Sequence, residues 1–151
     1  YRNFMGYTVK PADEYIGLGI TAIGFLENTF VQNHKPLKDY YGDLEKGVLP
    51  VERGKVLSRD DQMRQWVINS LMCRFHVDKE TFRKKFGEDF DSYFTVERDH
   101  LVRCASDDLV ILEERSIKVA ELGKIFIRNI CMGFDWYLRQ QNAHQKFSRT
   151  V

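Results

Sequence analysis

The side chains best suited to acid–base, nucleophilic or metal chemistry in this chain are four histidines and three cysteines. His34, His76, His100 and His144 stand apart, with no HExxH arrangement and no paired Cys/His spacing, so each is read as a structural or surface group. Cys73, Cys104 and Cys131 are an odd number spread along the chain, whereas zinc and iron–sulfur sites draw on cysteines clustered within a few residues. No metal ligand is therefore assigned. Two of the three lie in apolar runs, which favours buried, reduced thiols over a disulfide framework and points to a cytoplasmic setting. His100 and Cys104 are four residues apart and could meet on one helix as base and nucleophile. No oxyanion-hole signal accompanies them, so no catalytic residue is assigned to the chain.

Gly17, Gly19 and Gly24 match neither GxGxxG nor the P-loop pattern. A glycine in a strand lets a ligand approach the backbone closely, and it equally permits tight helix-on-strand packing. The balance of 23 basic against 22 acidic side chains gives no strong field toward phosphate backbones or anionic lipid, so neither nucleic acid nor a membrane is expected as a partner. The longest apolar stretch, residues 15–26, falls short of the roughly 20 residues a membrane helix needs. At 151 residues and 43% hydrophobic content the chain fits one compact domain, or one domain plus a fragment of another. A first residue of Tyr, followed directly by strand-like sequence, suggests that it begins within a longer protein.

The elements that must position these side chains read as mainly α with a small β-hairpin. The run Tyr15-Ile16-Gly17-Leu18-Gly19-Ile20-Thr21-Ala22-Ile23 reads as a buried strand or strand-like connector. Pro36 suits a first helical position, Leu37, Tyr40, Tyr41 and Leu44 follow at helical spacing, and Gly47 stops the element. Val48 to Leu57, with Pro50 and Gly54, reads as a loop. Ser58 and Asp61 resemble a capping box for a helix that carries Met63, Trp66, Val67, Leu71 and Met72 on one side. Asp78 can cap a short helix pairing Phe82 with Phe86 and ending at Gly87; Asp89 can cap the next, with Phe90, Tyr93, Phe94, Leu101 and Val102 facing inward. Leu109–Leu112 and Ile117–Val119 read as a hairpin, and a long final helix spans roughly 120–140 with Leu122, Ile125, Phe126, Ile130, Phe134 and Leu138 inward. This order of elements makes a winged-helix-like unit.

The run Arg128-Asn129-Ile130-Cys131-Met132-Gly133-Phe134-Asp135-Trp136-Tyr137-Leu138, closed by Phe147-Ser148-Arg149, is the most specific in the chain. With Asn3-Phe4-Met5-Gly6-Tyr7-Thr8 and the residues from Gly17 to Ile23, it resembles the C-terminal third of the oxygen-independent coproporphyrinogen III oxidases. These are radical S-adenosylmethionine (SAM) enzymes of haem synthesis. The resemblance spans nearly all of the chain. It implies a division into residues 1–35, a strand-like fragment ending the radical SAM barrel, and 36–151, a C-terminal helical cap domain. The family's Cys-x3-Cys-x2-Cys motif is absent here, so the resemblance places the [4Fe-4S] cluster and SAM in a missing N-terminal barrel and leaves this fragment alone inactive and without a bound cofactor.

By that resemblance Phe4, Met5 and Ile23 form wall of the pocket for SAM and substrate. Met5 stands where relatives can carry Gln, which removes an amide's hydrogen-bonding capacity. Coproporphyrinogen bears four propionates, whose binding requires cations; Lys10, Arg53 and Lys55 are the candidates, against the alternative of solvated loop charges. Arg128 is expected to anchor structure through Asp135 or through the barrel. The implied activity is oxidative decarboxylation of two propionates of coproporphyrinogen III to give protoporphyrinogen IX. The alternatives are a haem-chaperone relative of the same superfamily, a winged-helix nucleic-acid-binding module, and a pure interaction or lid module.

Overall fold

The computed structural model describes residues 2–3, 6–7 and 14–140, which form eight helices and three small antiparallel sheets. The architecture is therefore mixed α/β rather than mainly α with one hairpin. Contacts divide the chain into two compact units, the first containing Thr8–Gln62 and the second Arg2–Tyr7 together with Met63 onward. Strands β1 (Arg2–Asn3) and β2 (Gly6–Tyr7) pair with each other.

In the first unit, Glu27 and Asn28 both adopt positive φ, 45° and 61°, the combination that closes a two-residue hairpin with the strands' own twist. That turn joins β3 (Ile23–Leu26) to β4 (Thr29–Asn33), and β5 (Val51–Val56) pairs along the other side of β4. The loop expected over 48–57 is thus largely a strand. Its alternation is hidden because Gly54 interrupts it and none of its side chains is buried, Val51 being half-buried and the rest exposed. Of the two readings of 15–23, the connector holds and the buried strand does not: Tyr15 makes one bridge to Phe25, while Ile16 and Leu18 are 70% and 89% exposed. Buried Asn33 holds this connector by donating from Nδ2 to the carbonyls of Gly17 (3.1 Å) and Gly19 (2.9 Å). Helix α1 (Leu37–Glu45) follows Pro36, which sits at the N-cap, and ends before Gly47 at φ 72°. No residue of α1 is buried.

Helix α2 (Arg59–Arg74) opens with the expected capping box: Ser58 N donates to Asp61 Oδ2 at 2.9 Å and Asp61 N donates to Ser58 Oγ at 3.1 Å. In the second unit, β6 (His76–Asp78) leads into α3 (Lys79–Phe86), where Asp78 accepts from Thr81 N at 2.6 Å and Gly87 terminates at φ 74°. Asp89 accepts from Ser92 N at 2.9 Å and opens α4 (Phe90–Tyr93). The single helix expected here is split at Phe94 (φ −94°, ψ 41°), after which α5 runs from Thr95 to Ser106. Val102 faces outward at 47% exposure. Strands β7 (Val110–Leu112) and β8 (Ser116–Val119) form the expected hairpin, and β6 joins its β8 edge as a third strand.

The long final helix is instead three short ones: α6 (Glu121–Ile125), α7 (Ile127–Met132) and α8 (Trp136–Gln140). Phe126 leaves helical geometry at φ −99° and ψ 21°. The break rotates the apolar face, so Ile127, Ile130, Cys131 and Phe134 are buried while Leu122, Ile125 and Phe126 are exposed. The core gathers Phe82, Phe90, Phe94 and Phe134, each at most 1% exposed, with successive ring centroids 5.4, 4.9 and 5.3 Å apart. Met63, Val67, Leu71, Val77, Ile117 and Ile130 pack around these rings.

Candidate functional site

Antiparallel pairing places directly opposed residues on one face of a sheet, and alternate residues along each strand join them. Ile23 opposes Gln32, which opposes Arg53; Phe25 opposes Phe30, which opposes Lys55. One face of the three-stranded sheet therefore carries Ile23, Phe25, Phe30, Gln32, Arg53 and Lys55. The register shift at Gln32/Asn33 lies just beyond these pairs and leaves them aligned. Of the sequence's candidates, Ile23, Arg53 and Lys55 are thus brought together by strand register, although they are up to 32 positions apart in the chain. Phe4, Met5 and Lys10 lie outside the described residues.

The face has an apolar end and a cationic end. Phe25 and Phe30 are 4.6 Å apart between ring centroids, with Tyr15 against Phe25 at 6.3 Å. Ile23 is 46% exposed beside them. Arg53 donates from Nε (2.8 Å) and Nη2 (2.5 Å) to Gln32 Oε1, and Gln32 Nε2 donates to the Thr21 carbonyl at 3.2 Å. Arg53 and Lys55 are both exposed. Gln32 was not among the sequence candidates. Its signal, opposition to Arg53, exists only once β5 is recognised as a strand. As for the glycines, a Cβ on Gly17 would come within 2.6 Å of the Ile23 carbonyl oxygen, so close backbone packing explains that residue.

Among the described residues the histidines and cysteines carry no competing site. His34 Nε2 meets Asp43 Oδ2 at 3.0 Å, a tie between the residue after β4 and α1. His76 borders a hollow of about 60 Å³ with Trp66, Arg74, Asp78 and Thr81, and His144 lies outside the described residues. His100 and Cys104 do meet, at 3.5 Å between Nε2 and Sγ. Yet Nε2 is also 3.1 Å from the Ile130 carbonyl, an acceptor that requires this nitrogen to carry the proton. It then has no lone pair for the thiol, and burial pushes the Cys104 thiol up from its ordinary value. The pair is not an activated nucleophile. Burial, with Cys73 nearby, pushes Cys131 up to about 12. Among the described residues no group of three His, Cys, Asp or Glu could hold a metal ion. These cysteines do not fit an iron–sulfur cluster.

Of the two partners expected for Arg128, Asp135 is engaged elsewhere, and the other, a residue of the barrel, lies outside this chain. Arg128 is exposed, and Asp135 accepts from Leu138 N at 2.9 Å as a helix cap instead of pairing with it. The anchoring cations are Arg64 and Arg139, which both reach the buried Glu97 and also donate to the carbonyls of Phe134 and Gly133, each at 3.3 Å. The Trp136 ring lies 5.5 and 5.7 Å from the two guanidinium carbons.

Residues 57–126 match the HemN C-terminal domain family. Over its whole length the chain is 40% identical to the oxygen-independent coproporphyrinogen III oxidase of Escherichia coli (strain K12) and 39% identical to that of Synechocystis sp., covering 33% of each. The solved structure of coproporphyrinogen III oxidase (HemN) from Escherichia coli, described as a radical SAM enzyme, matches at a TM-score of 0.84 and 39% identity. That match covers 91% of this chain and 32% of the solved one. The chain spans about a third of the length of these relatives, and the resemblance drawn from the sequence is borne out.

Proposed function

We infer that this chain, which carries a HemN C-terminal domain over residues 57–126, is the C-terminal part of an oxygen-independent coproporphyrinogen III oxidase, a radical SAM oxidoreductase of haem biosynthesis. The observation that carries this reading is the 39–40% identity to such oxidases along the full length of the chain. The whole enzyme converts two propionates of coproporphyrinogen III to vinyl groups, each losing its carboxylate as CO2, and so forms protoporphyrinogen IX. SAM and a [4Fe-4S] cluster, held outside this chain, would supply the radical chemistry that removes one hydrogen atom from each propionate, and the electron released with each CO2 would pass to an electron acceptor. The cysteines of this chain do not fit that cluster, which belongs with the barrel outside it.

The part played by this chain is to bind, orient and shield. Ile23 and the Phe25–Phe30 pair offer an apolar surface for the macrocycle, and Arg53 and Lys55 offer cations to its propionates, which are ionised near neutral pH. Phe4 and Met5 complete the wall and Lys10 adds a third cation in this reading. Residues 1–35 belong to the end of the barrel and 36–151 to the cap, with β5 extending the β3–β4 sheet. The helix–strand–helix order of α2, β6 and α3, followed by α5 and the β7–β8 hairpin edged by β6, supports a winged-helix-like description of the cap. The barrel is the partner that covers the exposed Leu18, Ile20, Leu37 and Tyr41 of the first unit. No helix among the described residues is long and apolar enough to cross a membrane, and a cytoplasmic location accords with the reduced thiols.

The test is turnover. Full-length protein, anaerobically reconstituted with iron and sulfide and given SAM and a reductant, is expected to convert coproporphyrinogen III to protoporphyrinogen IX with two CO2 released per porphyrinogen. Tight haem binding without turnover would move the chain to the haem-chaperone relatives.

A further inference from the structure

Arg53 is aimed by its neighbour on the central strand. Its Nε and Nη2 both donate to Gln32 Oε1, at 2.8 and 2.5 Å. The Gln32 amide is itself fixed, because Nε2 donates to the Thr21 carbonyl at 3.2 Å. Reversing the amide would set its NH2 against the guanidinium donors and its oxygen against a carbonyl, so only one orientation satisfies both partners. The backbone of the connector thus fixes the amide, and the amide fixes the guanidinium. Holding Arg53 by its Nε/Nη2 edge leaves the opposite edge, formed by the Nη1 and remaining Nη2 hydrogens, as an open fork of the kind that grips a carboxylate bidentately.

We propose that Gln32 is a positioning residue that presents the Arg53 fork to a substrate propionate, and so sets which carboxylate of the macrocycle is held beside Ile23. The proposal rests on the reading of this chain as part of a coproporphyrinogen oxidase. Arg53 is exposed, and an exposed side-chain pair contributes little to folding while costing rotamer entropy. The consequence of the Thr21–Gln32–Arg53 chain of hydrogen bonds is therefore orientation. Pre-organising the guanidinium removes that entropy cost from the binding step. Lys55, two residues along the same face, adds a second positive charge, as an ammonium that lacks the planar fork of a guanidinium.

The experiment uses the full-length, anaerobically reconstituted enzyme and coproporphyrinogen III. Gln32→Met keeps the side-chain length and removes both hydrogen bonds; it is expected to raise KM about tenfold, with kcat within about twofold and an unchanged Tm. Gln32→Glu, which keeps an acceptor for Arg53 but neutralises it and sets a carboxylate against the Thr21 carbonyl, is expected to raise KM as much. The double variant Gln32→Met/Arg53→Ala is expected to be no worse than Arg53→Ala alone, because the two residues act as one unit. If Gln32→Met leaves KM unchanged while Arg53→Ala raises it, the positioning role is wrong and the binding role of Arg53 survives. A fall in Tm and kcat at constant KM would mark Gln32 as merely structural and also overturn the proposal. If Arg53→Ala too leaves KM unchanged, the assignment of this face to substrate carboxylates falls with it.

Discussion

Arg64 Nη1 lies 2.7 Å from Glu97 Oε1, and that carboxylate is only 2% exposed. Arg139 reaches the same oxygen from α8, so one buried acid ties α2, α5 and α8 together. Burial pushes the Glu97 carboxyl up, but the hydrogen bonds from Arg64 and Arg139 outweigh it and hold the group below its ordinary value.

Glu97→Gln is expected to destabilise the protein by about 3–5 kcal/mol at neutral pH, because it leaves two guanidiniums without their counter-charge. The pH dependence has a defined sign. A carboxylate with a depressed folded pKa contributes stability above its unfolded value of about 4.3, and that contribution is lost as pH falls below it toward the folded value. Urea denaturation of both proteins should therefore show a gap that is constant from neutrality to about pH 5 and narrows on further acidification. Asp78, held low by hydrogen bonds from the Thr81 side chain and then its N–H, and Asp89, held low by the N–H and then the side chain of Ser92, add acid sensitivity to both proteins and cancel in the difference. A gap that stays constant down to pH 3 would contradict this account of Glu97.

Gly123 and Gly133 are both places where a Cβ has no room, with different obstacles. At Gly123 it would meet the Leu109 carbonyl oxygen at 1.9 Å, and at Gly133 the His100 ring at 2.1 Å. A side chain can turn and backbone cannot. Gly123→Ala should therefore lower Tm more than Gly133→Ala, with the latter costing about 1–3 kcal/mol. The His100 ring can yield only by giving up its bond to the Ile130 carbonyl. Equal Tm values for the two variants would argue against backbone as the harder wall.

The parts of this fold legible in the sequence are those whose physics is local. Asp78, Asp89 and the Ser58/Asp61 box act within three residues of themselves, and the β7–β8 hairpin closes over a few polar residues; each was found. The sequence reads as one final helix because apolar spacing near 3.6 continues through Phe126 and Phe134, although the backbone leaves helical geometry at Phe126 and the helix is interrupted again between Met132 and Trp136. β5 is not legible in the sequence because Pro50 and Gly54 resemble loop punctuation, and a strand with exposed side chains shows no hydrophobic alternation. Arg64, Glu97 and Arg139 are brought together from three separate helices, so no window of sequence could join them. For the candidate site, Ile23, Arg53 and Lys55 came from resemblance and chemistry, but their shared face and the role of Gln32 required strand register.

Cysteine reactivity should follow burial. Cys104 and Cys131 are 5% and 7% exposed with thiols pushed upward, whereas Cys73 is only half-buried. Peptide-resolved alkylation with iodoacetamide at pH 8 should label Cys73 first and the other two only with denaturant. Early labelling of Cys131 in the native protein would mean that the α7 packing is wrong.

Phe82 touches Trp66, Phe86, Phe90 and Phe94 in the core. Phe82→Ala should cost about 3–5 kcal/mol in denaturant unfolding. Ile125→Ala, at a residue 78% exposed, should change it by less than about 0.5 kcal/mol when the second unit alone determines the transition. A larger loss at Ile125 than at Phe82 would restore the single amphipathic final helix.

The most direct measurement is arginine and lysine footprinting on full-length enzyme, with phenylglyoxal for Arg53 and an acetylating reagent for Lys55, read by peptide mass spectrometry with and without coproporphyrinogen III. A face that receives the substrate's propionates predicts protection of Arg53 and Lys55 by the porphyrinogen, with Arg98 and Arg128 labelled at the same rate in both samples. Equal labelling of Arg53 and Lys55 with and without substrate would contradict the assignment of the β3–β4–β5 face to the pocket.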